Sequence, residues 1–207
     1  MRKSLVIDPR IKAKPDDILP LPVVVRVTEF TEAAAKAFAE DLEKAHHTGQ
    51  PVIPVVIDSY GGVAYSLLDM IAQIQVARLP VVTVAEGKAM SCGACLFAMG
   101  NMRYAAPHAT LMFHDVWGGA VGKIPEIKAG VAETERVRDL VYSLTARSIG
   151  QPADFFVKEF RARGNAEWYM TARQAKQLGI ATHIGVPELV CEVGVKYRFG
   201  ARMRAKE

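Results

Sequence analysis

The order of apolar and polar positions along the chain predicts strands that alternate with helices. Three β-branched runs have the length and composition of buried strands: residues 22–27, 52–58 and 81–86. Between them, residues 31–47 and 63–77 carry apolar side chains at helical spacing, with Thr31 placed to cap the first helix and Pro80 to stop the second. This alternation predicts an α/β fold with largely parallel strands.

The second half of the chain continues in the same way. Residues 125–148 are predicted to form one long helix, apolar along one side and heavily charged on the other. Shorter helices are predicted from Pro152 and over residues 171–179, and further strands over 103–106 and 110–114. The charges on the long helix indicate an appendage that packs against a neighbouring subunit.

The chain shows no repeat, linker or low-complexity segment, so we predict one domain over residues 21–190. Residues 1–20 hold three prolines and several charges and are predicted to form an extended N-terminal arm. Residues 191–207 are predicted to form a basic tail. Five of the basic residues lie in this tail: Lys196, Arg198, Arg202, Arg204 and Lys206.

The composition of the chain limits the classes of protein to which it can belong. The chain is 50% apolar and 23% charged, as expected of a globular protein. Its net charge of +4 comes mainly from the tail, so we expect no broad basic face and no nucleic-acid partner. No run reaches the roughly 20 apolar residues of a membrane helix. The three cysteines form no disulfide framework, so a cytoplasmic protein with reduced thiols and no membrane partner is predicted.

Two kinds of chemistry are possible at residues 91–95. Cys92 and Cys95 form a C-x-x-C pair, but a zinc site needs further ligands and the remaining cysteine, Cys191, stands alone. A redox pair at the start of a helix stays open as an alternative, beside the simpler interpretation of small residues at a tight packing site. Ser91 follows a predicted strand and opens a helix, as the nucleophile does in a strand-to-helix turn.

Two further features favour the serine. Residues 59–62 read Ser-Tyr-Gly-Gly at the end of the preceding predicted strand, and loops from neighbouring parallel strands meet at one sheet edge. A Gly-Gly turn can aim an unhindered backbone N–H at a substrate oxygen. His114 ends the predicted strand 110–114, which is where a general base would be needed.

Three segments resemble, in order and at matching intervals, motifs of the Clp protease proteolytic subunit (ClpP) family. Residues 59–62 are similar to that family's Ser-Pro-Gly-Gly strand end, with Tyr60 in place of proline. Residues 87–93, GKAMSCG, resemble its nucleophile segment, and residues 112–119 contain the Met-x-His strand end and a Gly-Gly pair. Including a similar closing segment at 169–180, the resemblance covers roughly residues 22–184.

This resemblance implies a serine endopeptidase that acts through an acyl-enzyme. Ser91 would be the nucleophile and His114 the general base, and the backbone N–H groups of Gly62 and Cys92 would form the oxyanion hole. No cofactor and no metal is expected.

The resemblance also implies a carboxylate as the third member of a catalytic triad. The family has an aspartate eight residues after a Gly-Gln pair, and the same count from Gly150-Gln151 leads to Glu159. About four extra residues follow before Tyr169, which makes Glu167 a competitor.

The fold that the resemblance implies is the crotonase-like, ClpP-type arrangement of repeated β-α-β units with a long protruding handle helix. Family members form two stacked seven-membered rings that enclose the active sites, and an AAA+ unfoldase feeds them unfolded protein. The helix from Pro125 would be the handle, and residues 118–122 the strand leading into it. The expected substrates are therefore peptides or unfolded proteins, cleaved inside a homo-oligomer.

Two other functions stay open at this point. The first is a catalytically inactive ring subunit or scaffold, suggested by the absence of the family's aspartate and by Tyr60. The second is a protease with a Ser-Lys dyad similar to signal-peptide peptidases, with Lys88 as the base. The lack of a membrane segment and the presence of His114 in register count against this second alternative.

Overall fold

The computed structural model describes residues 22–188. The predicted N-terminal arm at residues 1–20 and the predicted basic tail at residues 191–207 lie outside the described residues. None of the helices between residues 22 and 188 combines the length and the apolar character that crossing a bilayer requires.

Strands and helices alternate along the described chain, as the sequence predicts. The strands are β1 (Val25–Val27), β2 (Ile53–Ser59), β3 (Val81–Met90), β4 (Met102–Ala105), β5 (Thr110–Phe113), β6 (Trp168–Thr171) and β7 (His183–Ile184). The helices are α1 (Glu32–His47), α2 (Ala64–Val76), α3 (Cys92–Ala98), α4 (Ile124–Ser148), α5 (Phe155–Ala162) and α6 (Ala172–Gln177).

The strands form one sheet in the order β1-β2-β3-β4-β7, and these neighbours are all parallel. The predicted α/β fold with largely parallel strands is therefore confirmed. Strand β3 is longer than predicted, because its last part, Lys88–Met90, pairs in parallel with Thr110–Met112 of β5. Strand β6 then pairs antiparallel with β5. Strand β3 therefore changes its neighbour from β4 to β5 just before the chain enters α3.

Two helix starts have hydrogen-bonded caps, and the first of them is the predicted cap at Thr31. The Thr31 hydroxyl accepts a hydrogen bond from the Ala34 N–H at 3.1 Å at the start of α1. Thr171 and Gln174 form a reciprocal capping box at the start of α6. These local contacts explain why both helices begin where the sequence pattern places them.

Helix α3 lies at the centre of the core. All seven of its residues are buried, which accounts for their small or apolar side chains. Beside it, an aromatic cluster joins β5, β6, α4 and α5; its members are Phe113, Tyr142, Phe156, Phe160 and Trp168. This cluster fixes the end of β5, from which the chain passes directly into His114.

Helix α4 is buried only towards its C-terminal end. Its buried residues are Val137, Val141, Tyr142, Thr145 and Ala146. By contrast, large apolar side chains are exposed on its first turns and on the segment before it: Trp117, Val121, Ile124 and Val131. The strand expected at residues 118–122 is not formed in this single chain, because an extended segment becomes a strand only beside a partner strand.

Candidate active site

Ser91 connects β3 to α3 in a strained backbone conformation. Its φ of 54° and ψ of −120° are values that residues with a side chain rarely adopt. The Ser91 N–H donates to the Met112 carbonyl at 2.8 Å, and the Ser91 carbonyl accepts from the Ala94 and Cys95 N–H groups. These contacts hold a conformation that costs about 1–3 kcal/mol, and such strain concentrates at functional sites.

His114 lies directly opposite this serine. Its Nε2 is 2.8 Å from the Ser91 Oγ, although the two residues are 23 positions apart. The parallel pairing of Lys88–Met90 with Thr110–Met112 places the two strand ends side by side and so brings these residues together. The structure therefore places a serine hydroxyl and an imidazole at hydrogen-bonding distance, as nucleophilic catalysis requires.

The Gly-Gly turn after β2 forms another wall of the site. The buried Ser59 accepts a hydrogen bond from the Gly61 N–H at 3.1 Å, which shapes the turn. A Cβ on Gly61, where φ is +113°, would lie 2.7 Å from the Ser91 Cβ. A Cβ on Gly62, where φ is +154°, would lie 2.7 Å from the Phe30 carbonyl oxygen. Only glycine allows this turn to approach Ser91 so closely.

The N–H groups of Gly62 and Cys92 are available to a ligand. Between residues 22 and 188, neither N–H has a hydrogen-bond acceptor. The two residues are neighbours across the site, since the Cys92 Sγ lies 3.3 Å from the Gly62 carbonyl oxygen. Two unused backbone donors beside a serine hydroxyl could stabilise an oxyanion formed there.

A cavity of about 330 Å³ adjoins Ser91, Cys92 and His114. Much of its wall is aliphatic, formed by Val63, Ala64, Leu67, Val116, Val137 and Val141. Such a cavity is suited to an apolar side chain held next to the serine hydroxyl.

Both cysteines of residues 91–95 are buried free thiols. Burial raises the pKa of Cys92, and complete burial raises the pKa of Cys95 much further. Redox and metal sites use thiolates, so protonated thiols do not support either chemistry here. Within the part of the chain that the structure describes, no group of three or more His, Cys, Asp or Glu residues could hold a metal.

Lys88 is engaged away from Ser91. Its ammonium lies 2.9 Å from the Asp58 carboxylate and 4.6 Å from the centre of the Tyr60 ring. The hydrogen bond to Asp58 raises the pKa of Lys88. A lysine that acts as a general base needs a lowered pKa, so this environment does not favour a Ser-Lys dyad.

The two glutamates considered as third triad members have other partners. Glu159 is bound by the Arg163 guanidinium, which also donates to the Glu159 carbonyl at 3.0 Å. Glu167 accepts a hydrogen bond from the Tyr169 hydroxyl at 2.6 Å. Among residues 22–188, no carboxylate is hydrogen-bonded to His114, so the third member stays a prediction.

Tyr142 also reaches the site, a contact that the sequence does not predict. Its hydroxyl donates a hydrogen bond to the His114 carbonyl oxygen, and its ring lines the cavity. A tyrosine on the apolar side of a long helix is most simply interpreted as core, so the sequence carries no signal for this contact.

A comparison with models of known protein families is consistent with this geometry. The family model described as Clp protease matches residues 22–188. The matched span contains the Gly-Gly turn, Ser91 and His114.

Proposed function

The chain belongs to the Clp protease family, and from that premise we propose that it is a serine endopeptidase that cleaves peptide bonds through an acyl-enzyme. Membership implies the crotonase-like α/β fold, with which the mixed architecture and parallel sheet agree. The observation that carries the proposal is the 2.8 Å distance between Ser91 Oγ and His114 Nε2. The strained backbone of Ser91 supports it.

In the acylation step, His114 Nε2 takes the Ser91 hydroxyl proton while Oγ attacks the substrate carbonyl carbon. The carbonyl oxygen becomes an oxyanion, which the N–H groups of Gly62 and Cys92 stabilise. As the C–N bond breaks, the protonated His114 gives its proton to the leaving amine. The acyl group is left as an ester on Ser91.

Deacylation reverses these roles with water as the nucleophile. His114 takes a proton from water, which attacks the ester carbonyl and again generates an oxyanion beside Gly62 and Cys92. Collapse of this intermediate returns the proton to Ser91 Oγ and releases the carboxylate product. The chemistry uses only side chains, backbone N–H groups and water.

The aliphatic cavity next to Ser91 indicates which residue precedes the cleaved bond. The cavity of about 330 Å³ offers this side chain an aliphatic wall, and burying an apolar side chain there contributes roughly 1.5–3 kcal/mol of binding free energy. We therefore propose peptides or unfolded proteins with an apolar residue at this position as substrates.

Glu159 is proposed as the third triad member, with Glu167 as its competitor. Either carboxylate would have to leave its present partner, Arg163 or Tyr169, to reach His114. The Glu159–Arg163 pair is partly exposed, and pairs of this kind contribute only about 0–1 kcal/mol to stability. Replacing this ion pair with another contact of Glu159 therefore costs little free energy.

We further propose a self-compartmentalised homo-oligomer in which α4 serves as the handle. The exposed apolar side chains at Trp117, Val121, Ile124 and Val131 support this, because several large exposed apolar side chains within one segment are typical of an interface. Two stacked rings of seven, with an AAA+ unfoldase as partner, are the arrangement that the family resemblance implies.

The function is tested by hydrolysis of a fluorogenic peptide with leucine before the scissile bond. We expect hydrolysis by the wild-type protein and a loss of at least about a thousandfold in Ser91→Ala and in His114→Ala. The matched control Ser148→Ala should keep the wild-type rate. Hydrolysis by Ser91→Ala at the wild-type rate would refute the proposal.

A catalytically inactive ring subunit is the second candidate. The observation that favours it is the lack of a carboxylate hydrogen bond to His114 among residues 22–188. In that case the wild-type protein would assemble but would not hydrolyse the peptide or react at Ser91.

A further inference from the structure

We propose that Tyr142 is a positioning residue for His114, and that its hydroxyl holds the His114 backbone so that the imidazole faces Ser91. This inference rests on the proposed peptidase function. It concerns a residue of α4, outside the Ser91 turn, the Gly-Gly turn and the His114 strand end.

The contact joins two parts of the chain that are 28 residues apart. The Tyr142 hydroxyl donates to the His114 carbonyl oxygen. The tyrosine is only 4% exposed, so the hydroxyl has little access to competing water. A buried phenol without a hydrogen-bond partner would be destabilised, which favours retention of this hydrogen bond.

The aromatic cluster holds the Tyr142 ring in place. Phe156 and Phe160 of α5 lie with their ring centres 5.5 Å and 5.0 Å from that of Tyr142. Phe156 also packs on Phe113, the residue immediately before His114, at 4.7 Å. The same cluster therefore anchors the chain before His114 and the ring that binds its carbonyl.

His114 needs such an anchor because little else restrains it. It directly follows β5, and residues 115–121 after it form neither helix nor strand. In many serine peptidases a carboxylate orients the imidazole through Nδ1, but no carboxylate among residues 22–188 makes that bond. Holding the carbonyl restricts rotation of the backbone on the C-terminal side of His114, while Phe113 restricts the other side.

The Tyr142 hydroxyl keeps its proton over the relevant pH range and can therefore always donate this hydrogen bond. Burial raises the pKa of Tyr142 well above that of an ordinary tyrosine. The hydroxyl therefore stays protonated over the whole pH range in which a neutral histidine can act as a base. It can donate to the carbonyl throughout that range.

Tyr142→Phe tests the inference, since it removes the hydroxyl and keeps the ring. We expect kcat for the leucine peptide to fall about tenfold to a hundredfold, because small displacements of a catalytic group have effects of this size. KM should stay within about twofold, since the apolar cavity wall is retained. The kcat is normalised to the fraction of chains that a fluorophosphonate labels at Ser91 on completion, so that unfolded protein does not count.

Tyr65→Phe is the matched control. The Tyr65 hydroxyl also donates to a group on α4, the Glu133 carboxylate, but Tyr65 does not line the cavity. We expect wild-type kcat for this variant. A Tyr142→Phe kcat within about twofold of wild type, or a change confined to KM, would overturn the inference. If the wild-type protein is not labelled at Ser91, the proposed peptidase function itself is refuted. If it is labelled but Tyr142→Phe keeps the wild-type kcat, only the role of Tyr142 is refuted.

Discussion

At Ser91, a backbone conformation that lowers stability is combined with a side-chain position that favours proton transfer to His114. Its backbone is held in a conformation that costs stability, and its hydroxyl is held where His114 can take its proton. The strain is maintained by the hydrogen bond to Met112 and by the buried helix that follows. If Ser91 is the nucleophile as proposed, these rigid surroundings hold its hydroxyl in place before substrate binds, so that binding does not have to order it.

The choice between His114 and Lys88 as the base can be decided by substitution. Lys88→Met should keep peptide hydrolysis within about threefold of wild type, because the ammonium is bound to Asp58 and has a raised pKa. His114→Ala should lose at least about a thousandfold. Rates of hydrolysis at neutral pH provide the measurement. The reverse ranking of the two variants would identify a Ser-Lys dyad instead.

The third triad member can be identified with charge-neutral variants. If Glu159 orients His114 in the working enzyme, Glu159→Gln should lower kcat by about 10²–10⁴-fold and Glu167→Gln should have little effect. The measurement is kcat for the leucine peptide, compared at equal amounts of assembled protein. The opposite pattern would assign the role to Glu167. Unchanged rates in both variants would mean that neither glutamate takes part.

The Gly-Gly turn positions Ser91 by close approach, and Gly61→Ala tests that function. The added methyl would meet the Ser91 Cβ at 2.7 Å in a backbone conformation with φ of +113°. We expect a fall in kcat/KM of at least about a hundredfold and a loss of about 1–3 kcal/mol in the free energy of unfolding. Peptide hydrolysis and urea denaturation measure the two effects.

Gly119→Ala is the control for this prediction, since nothing lies within 4 Å of a Cβ at that position. It should leave both the hydrolysis rate and the stability unchanged. A fully active Gly61→Ala variant would show that the turn can move away from Ser91 without consequence.

The elements that the sequence predicts well are those with local causes. Thr31 caps α1 through its own hydroxyl, and Pro80 lies just beyond the end of α2, where the sequence predicts a stop. The end of β3 could not be predicted, because Lys88–Met90 extends the strand through pairing with distant residues, Ser59 of β2 and Thr110–Met112 of β5. Local sequence carries no information about such a partner.

The same division applies to the site. The motifs around Ser91 and His114 allowed the pair to be proposed from the sequence, whereas the Tyr142 contact depends on how α4 packs over the end of β5. The position of a carboxylate relative to His114 depends on the loop before β6, which motif spacing does not determine. Both features depend on packing between distant elements, which is why neither could be predicted from the sequence.

At the level of assembly, the exposed first turns of α4 are predicted to form part of an interface between subunits. Val131→Asp places a charge within the exposed apolar surface of this helix, and we expect it to weaken oligomer formation by at least about tenfold. Sedimentation velocity provides the measurement. Lys36→Asp, on the exposed side of α1, is the control and should leave the oligomer intact. An unchanged oligomer in Val131→Asp would exclude this part of α4 from the interface.

The central claim is that Ser91 is a nucleophile activated by His114. It is tested most directly by treating the wild-type protein with a fluorophosphonate and mapping the adduct by mass spectrometry. We expect one adduct for each chain, at Ser91, with no adduct in Ser91→Ala and much slower labelling in His114→Ala. An adduct at another residue, or labelling of Ser91→Ala equal to that of the wild-type protein, would contradict the claim.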